Sequence, residues 1–167
     1  MRHDGVPETS GGQALSRFVA AAERLTALAE GRGGDQAGGA GDGDLTALQA
    51  ALCEVHAAFL ALSEGQETGH APPDEANFAR SQQAYEGWRR ASPRLADALA
   101  GVYRDLIDGL ELYGRGTTSD REAALWAWQS LYWQHWGEEL LKVQQALYRL
   151  MARRRFDRAL DDEGGLL

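Results

Sequence analysis

The sequence predicts an all-α fold, a bundle of about five helices, and three observations carry that reading. Apolar residues recur at three- and four-residue steps in five stretches, whereas the strict alternation of a half-buried strand occurs in none. Capping residues, glycines and prolines bracket those stretches where helices would start and stop. Hydrophobic residues make up 44% of the 167 positions, enough for one core and consistent with a single domain over 1–167.

The first stripe is Leu15, Phe18, Ala22, Leu25 and Ala29, preceded by a capping box of Ser10 and Gln13. Residues 1–12 are polar and glycine-rich and are expected to fray. Residues 31–43 read as a flexible Gly-rich linker; their aspartates lack the spaced series ending in glutamate of a calcium loop. Asp44 is the expected cap of a second helix, whose seam Leu45, Leu48, Leu52, Val55, Phe59 and Leu62 alternates steps of three and four. Pro72 and Pro73 stop it. A weaker third helix, within 75–91, carries Phe78, Tyr85 and Trp88.

Ser92 followed by Pro93 places a hydroxyl at a cap position and a proline at the first helical residue. The fourth helix then runs through Leu95, Leu99, Val102, Leu106, Leu110 and Tyr113 to Gly114 and Gly116. Ser119 and Glu122 form a second capping box for a fifth helix reaching about Arg158. Arg153, Arg154, Arg155 and Arg158 would lie in its last turns, where cations oppose the helix dipole. Residues 159–167 are expected to fray. The short connection between Tyr113 and Ser119 makes the last two helices a long antiparallel hairpin.

Four of the five tryptophans fall between Ala124 and Glu138. On a helical wheel Leu125, Trp128, Gln129, Tyr132, Trp136, Leu140, Val143, Leu147 and Leu150 share one face, flanked by Trp126 and Trp133 on one side and Leu131 and His135 on the other. A helix apolar nearly all round is enclosed by neighbours, so the first half of the fifth helix is expected at the bundle centre. An even hairpin register sets Asp105 level with Trp128 and about two turns, roughly 10 Å, from His135. Asp105 is then expected to accept from an indole N–H or the Tyr132 hydroxyl rather than to pair with His135. Gly137 admits a close backbone or a bend.

These same residues carry a family resemblance. Val102-Tyr103-Arg104-Asp105-Leu106, Gly109-Leu110 with Tyr113, the run from Glu122 to Trp128, and His135-Trp136-Gly137 resemble the bacterial family catalogued as domain of unknown function 5063. The likeness spans roughly 95–150. It implies a small all-α bacterial protein with no assigned activity, and it supplies no catalytic residues.

Function is bounded more by exclusions than by motifs. A net charge of −8 repels phosphate backbones, so no nucleic acid is expected as partner. One cysteine, Cys53, forbids an intrachain disulfide, no signal-peptide core is evident, and no apolar run spans a bilayer; the reading is cytoplasmic, with no membrane. High Ala, Gly, Arg and Leu with the single lysine Lys142 point to a bacterial source.

No nucleophile elbow, phosphate loop or Glu-x-x-His metal motif is present, so catalytic residues, metal and cofactor are all read as none. A non-enzymatic role through contact with a protein partner is the first expectation. The second is a small-ligand or substrate pocket formed by Tyr103, Asp105, Trp128, Tyr132, His135 and Trp136. The same rings at helical spacing also serve as plain core.

Overall fold

A computed structural model describes residues 10–31, 40–62 and 75–164. Residues 32–39 of the expected linker, the Pro72-Pro73 stop and the outermost ends of both termini lie outside the described residues; the linker expected through residue 43 ends earlier, because Ala40 is buried and Asp42 and Gly43 already belong to the second helix. Among those described there is no strand. The helices are α1 (Ser10–Glu30), α2 (Asp42–Leu60), α3 (Glu75–Arg89), α4 (Pro93–Gly114) and a final rod. That rod has three parts: α5 (Thr118–Leu131), a π-helical turn (Tyr132–Trp136) and α6 (Gly137–Gly164).

The predicted stripes form the core. Phe18, Ala22, Leu25 and Ala29 of α1 and Leu45, Leu48, Leu52, Val55 and Phe59 of α2 are buried. Ser92 caps α4, its hydroxyl accepting the Leu95 N–H at 3.3 Å, and Pro93 follows at the first helical position. Gly116, the one positive-φ residue (φ 85°) among those described, turns the chain after α4.

Several local expectations need correction. Gly41 rather than Asp44 precedes α2; Asp44 instead accepts the Gly41 N–H at 2.8 Å, the returning half of a capping box. Thr117, not Ser119, caps α5, accepting the Asp120 N–H at 3.1 Å. In α3, Phe78 faces outward at 55% exposure. The buried face of that helix is Asn77, Ser81, Ala84 and Trp88, because small and polar residues there let α3 lie close to α4.

α1 is already helical at Ser10, and α6 continues through Gly164. No base therefore stands in the last turn of α6. Arg154 and Arg158 do another job: Arg154 Nη1 donates to the Ala40 carbonyl at 2.6 Å, and Arg158 Nη2 lies 2.6 Å from Asp42 Oδ2. They tie the start of α2 to the last rod.

The helix at the centre of the bundle is α4, not α5. It packs against α1, α3, α5 and α6 and buries residues around most of its circumference, including Leu99, Val102, Tyr103, Asp105, Leu106 and Ile107. The tryptophan segment is covered on one side only. Trp128 and Trp136 are fully buried, whereas Trp133 is 81% exposed.

Candidate functional site

The six residues singled out from the sequence divide into three separate environments. Along α4, Gly101, Asp105 and Gly109 recur every four residues and share one face. The last rod lies on that face. A Cβ at Gly109 would stand 2.1 Å from the Trp128 indole nitrogen, so only glycine lets that ring approach α4 so closely. Trp128 Nε1 donates to the Leu106 carbonyl at 3.2 Å. Moving from Gly109 toward Gly101, the facing residues advance from Trp128 to His135 and Glu139, so the two elements run antiparallel.

The first environment is an aromatic cluster. Tyr132 stacks on Phe59 with ring centroids 4.2 Å apart, and Trp136 meets Phe59 and Tyr132 edge-on at 4.9 and 4.7 Å. Phe18 closes the group 4.9 Å from Trp128. Each polar tip is satisfied, as burial requires: Trp136 Nε1 donates to the Trp128 carbonyl at 2.9 Å, and the Tyr132 hydroxyl meets His56 Nε2 at 2.8 Å. Burial pushes the Tyr132 hydroxyl above its ordinary pKa. The rings are in contact with one another and form core.

The second environment is the pair that an even register had kept apart. His135 Nδ1 lies 2.5 Å from Asp105 Oδ2, and Arg104 Nε is 3.7 Å from Oδ1. Asp105 therefore accepts from neither Trp128 nor Tyr132. The displacement has a local cause. In the π-helical turn the Gly137 N–H donates to the carbonyl of Tyr132, five residues back. The extra residue in that turn rotates and retards everything after Tyr132 relative to an unbroken α-helix. The imidazole also leans toward the start of its own helix, as helical side chains do, and so toward Asp105.

Gly137 is what permits this turn, since a Cβ there would stand 2.5 Å from the same Tyr132 carbonyl oxygen. A carboxylate facing Nδ1 fixes the hydrogen on that nitrogen and orients the ring, whose side chain is 40% exposed.

Tyr103 joins neither group. Its hydroxyl donates to the Glu30 carboxylate, which Arg80 Nη2 also holds at 2.6 Å. Arg80 Nη1 reaches Glu111 at 3.1 Å, and buried Asn77 donates from Nδ2 to Asp108 and Glu111 at 2.8 and 2.9 Å. This network joins α1, α3 and α4. Burial, then the bond to Glu30, raise the Tyr103 hydroxyl well above its ordinary value. Burial alone would raise Glu30, but the bonds from Tyr103 and Arg80 outweigh it and hold that carboxyl low. Asp108 is raised, first by burial and then by the charges of Asp105 and Glu111, against the Asn77 bond.

Among the described residues no three His, Cys, Asp or Glu side chains are grouped to hold a metal ion, and no helix is long and apolar enough to cross a membrane. Two surface features had no counterpart in the motif reading. Trp133, Leu141, Tyr148, Phe156 and Leu160 of the last rod are each more than half exposed. A groove of about 720 Å³ lies between the start of α4 and α6. The alternating seven- and eight-residue steps from Trp133 to Phe156 were visible in the sequence as a signal for the first; nothing local announced the second.

The family model described as Domain of unknown function (DUF5063) matches residues 79–153, so the resemblance read from the motifs holds. No curated protein matches the chain. Among solved structures, the crystal structure of protein BF1032 from Bacteroides fragilis is similar, with a TM-score of 0.68 and 16% identity over 81% of this chain and 90% of that one. At that identity the likeness speaks to the helical fold alone.

Proposed function

We propose that the chain works as one helical domain of the bacterial cytoplasm that acts by contact with another protein and performs no catalysis itself. The observation carrying this reading is the outer side of the last rod. Trp133 (81%), Tyr148 (72%) and Phe156 (66%) are displayed with Leu141 and Leu160 along one element whose opposite side is core as far as Leu147. Exposed large apolar groups in series along a helix mark surfaces that another helix or groove covers, and aromatic anchors dominate such interfaces. The charge of −8 supports a protein over a nucleic acid as the partner.

The test is a photoactivatable benzoylphenylalanine placed at Trp133 or Tyr148 of the full chain in its native host, with exposed Arg17 on α1 as control. A discrete protein adduct from both rod positions, absent from the control and lost from position 148 on Trp133→Ser, is expected. No adduct, or the same products from all three positions, would refute the reading.

A second reading is a ligand or substrate site at the aromatic, His and Asp residues, and one observation favours it. Asp105 is a buried carboxylate orienting a half-exposed imidazole, an arrangement that suits proton transfer. Ligand-dependent quenching of the buried tryptophans, lost in Asp105→Asn while the fold persists, would select this reading over the first.

A further inference from the structure

The groove between α4 and α6 is a second, independent feature. Its volume of about 720 Å³ is that of a small-molecule site. Ala98, Ala146 and Leu150 supply an apolar floor, and three arginines stand around it: Arg94 from the first turn of α4, and Arg149 and Arg153, four residues apart on one face of α6.

Elsewhere among the described residues Arg24, Arg80, Arg89, Arg104, Arg154 and Arg158 are ion-paired, whereas Arg17, Arg90, Arg115, Arg121 and Arg155 stand on the surface without an ion pair. Lys142, also on the groove, is held between Glu138 and Glu139 at 3.0 and 2.8 Å. Arg94, Arg149 and Arg153 make no ion pair among the described residues. The groove thus gathers three guanidiniums without an ion pair over an apolar floor, with Lys142 beside them, against the carboxylates of Asp97 and Glu139 on the same lining.

We infer that this groove binds a small organic phosphate. A phosphate offers more acceptor oxygens than a carboxylate, so guanidiniums from both walls can engage it at once, and the planar donor fork of arginine matches its edges. The volume exceeds what a bare phosphate fills, and the Ala98–Ala146–Leu150 floor calls for an organic moiety beside the anion.

The experiment titrates phenyl phosphate and, separately, inorganic phosphate into the full chain at physiological ionic strength, following backbone amides by NMR. Saturable shifts are expected at Ala98, Ala146 and Leu150, with phenyl phosphate binding more tightly than inorganic phosphate. Arg149→Gln and Arg153→Gln, both at exposed positions, should each weaken binding about tenfold, the effect of one charge-assisted bond. Arg17→Gln on α1 makes the same charge change far from the groove and should leave affinity unaltered. The proposal fails if shifts do not saturate by about 10 mM, beyond which affinity is negligible. It fails equally if inorganic phosphate binds as well as phenyl phosphate, if the Arg149/Arg153 double variant retains affinity while its spectrum shows it folded, or if Arg17→Gln weakens binding as much.

Discussion

Gly137→Ala separates a π-helical turn from an ordinary helix. In the interior of a regular helix, replacing glycine with alanine stabilises by about 1 kcal/mol. Here the added methyl carbon would stand 2.5 Å from the Tyr132 carbonyl oxygen and 3.0 Å from its ring. The nearest atom is backbone, so it cannot swing aside. Overpacking of this kind costs about 1–3 kcal/mol, and its upper range applies because the carbonyl also accepts the Gly137 N–H that defines the turn. Setting the propensity gain against it leaves a net loss of about 1–2 kcal/mol.

Urea unfolding measures the loss, and Gly101→Ala is the internal control. A Cβ at Gly101 meets Glu139 Cγ at 3.4 Å, His135 Cε1 at 3.5 Å and Glu139 Cβ at 3.8 Å, ordinary contacts with side chains. That variant should gain up to about 1 kcal/mol. If Gly137→Ala is as stable as the parent, or gains like Gly101→Ala, the turn is not held as described.

Other perturbations follow from the same contacts. Gly109→Ala must expel the Trp128 indole from α4 and break its bond to the Leu106 carbonyl, costing about 3 kcal/mol by chemical denaturation with a red shift in tryptophan emission. Asp105→Ala strips the partner from His135 Nδ1 and should lose about 1–3 kcal/mol, against a smaller loss for Asp105→Asn. Asp108 responds to pH in the opposite sense to a salt-bridged acid. Its folded-state pKa is raised above the ordinary 3.8, so its contribution is complete below that value and is lost as pH climbs through the raised one. Asp108→Asn keeps an acceptor for Asn77, and should melt higher than the parent at pH 7, with the gap closing toward pH 3.

Much of the bundle was legible because burial and periodicity are local properties. The α1, α2 and α4 stripes and the Ser92-Pro93 start needed no tertiary information. The Asp105–His135 contact failed for a definable reason: wheel and hairpin arithmetic assume an unbroken 3.6-residue helix. A warning was nonetheless present. Trp128, Tyr132, Trp136 and Leu140 are spaced four, four and four apart, a run that drifts about 120° around a regular helix. All four are buried on one side of the rod, and the extra residue of the π-helical turn absorbs that drift.

The enclosed-rod expectation failed at Trp133 because apolarity all round a helix is equally the mark of one side packed and the other awaiting a partner. Tyr103 escaped its expected site because adjacent positions on α4 face different neighbours, and only the packed helices reveal that Glu30 and Arg80 converge on it. The arginines of the groove come from segments more than fifty residues apart, and no local pattern links them.

The proposed contact with a protein partner rests on the last rod having one packed and one displayed side, and indole N–H exchange reads both at once. In the free protein the Trp128 and Trp136 indole protons, bonded to carbonyls and buried, should exchange slowly, while that of Trp133 exchanges at the rate of free tryptophan. On addition of the partner recovered by crosslinking at Tyr148, Trp133 alone should slow. Equal protection of all three in the free monomer would contradict the account, because the surface assigned to a partner would already be covered.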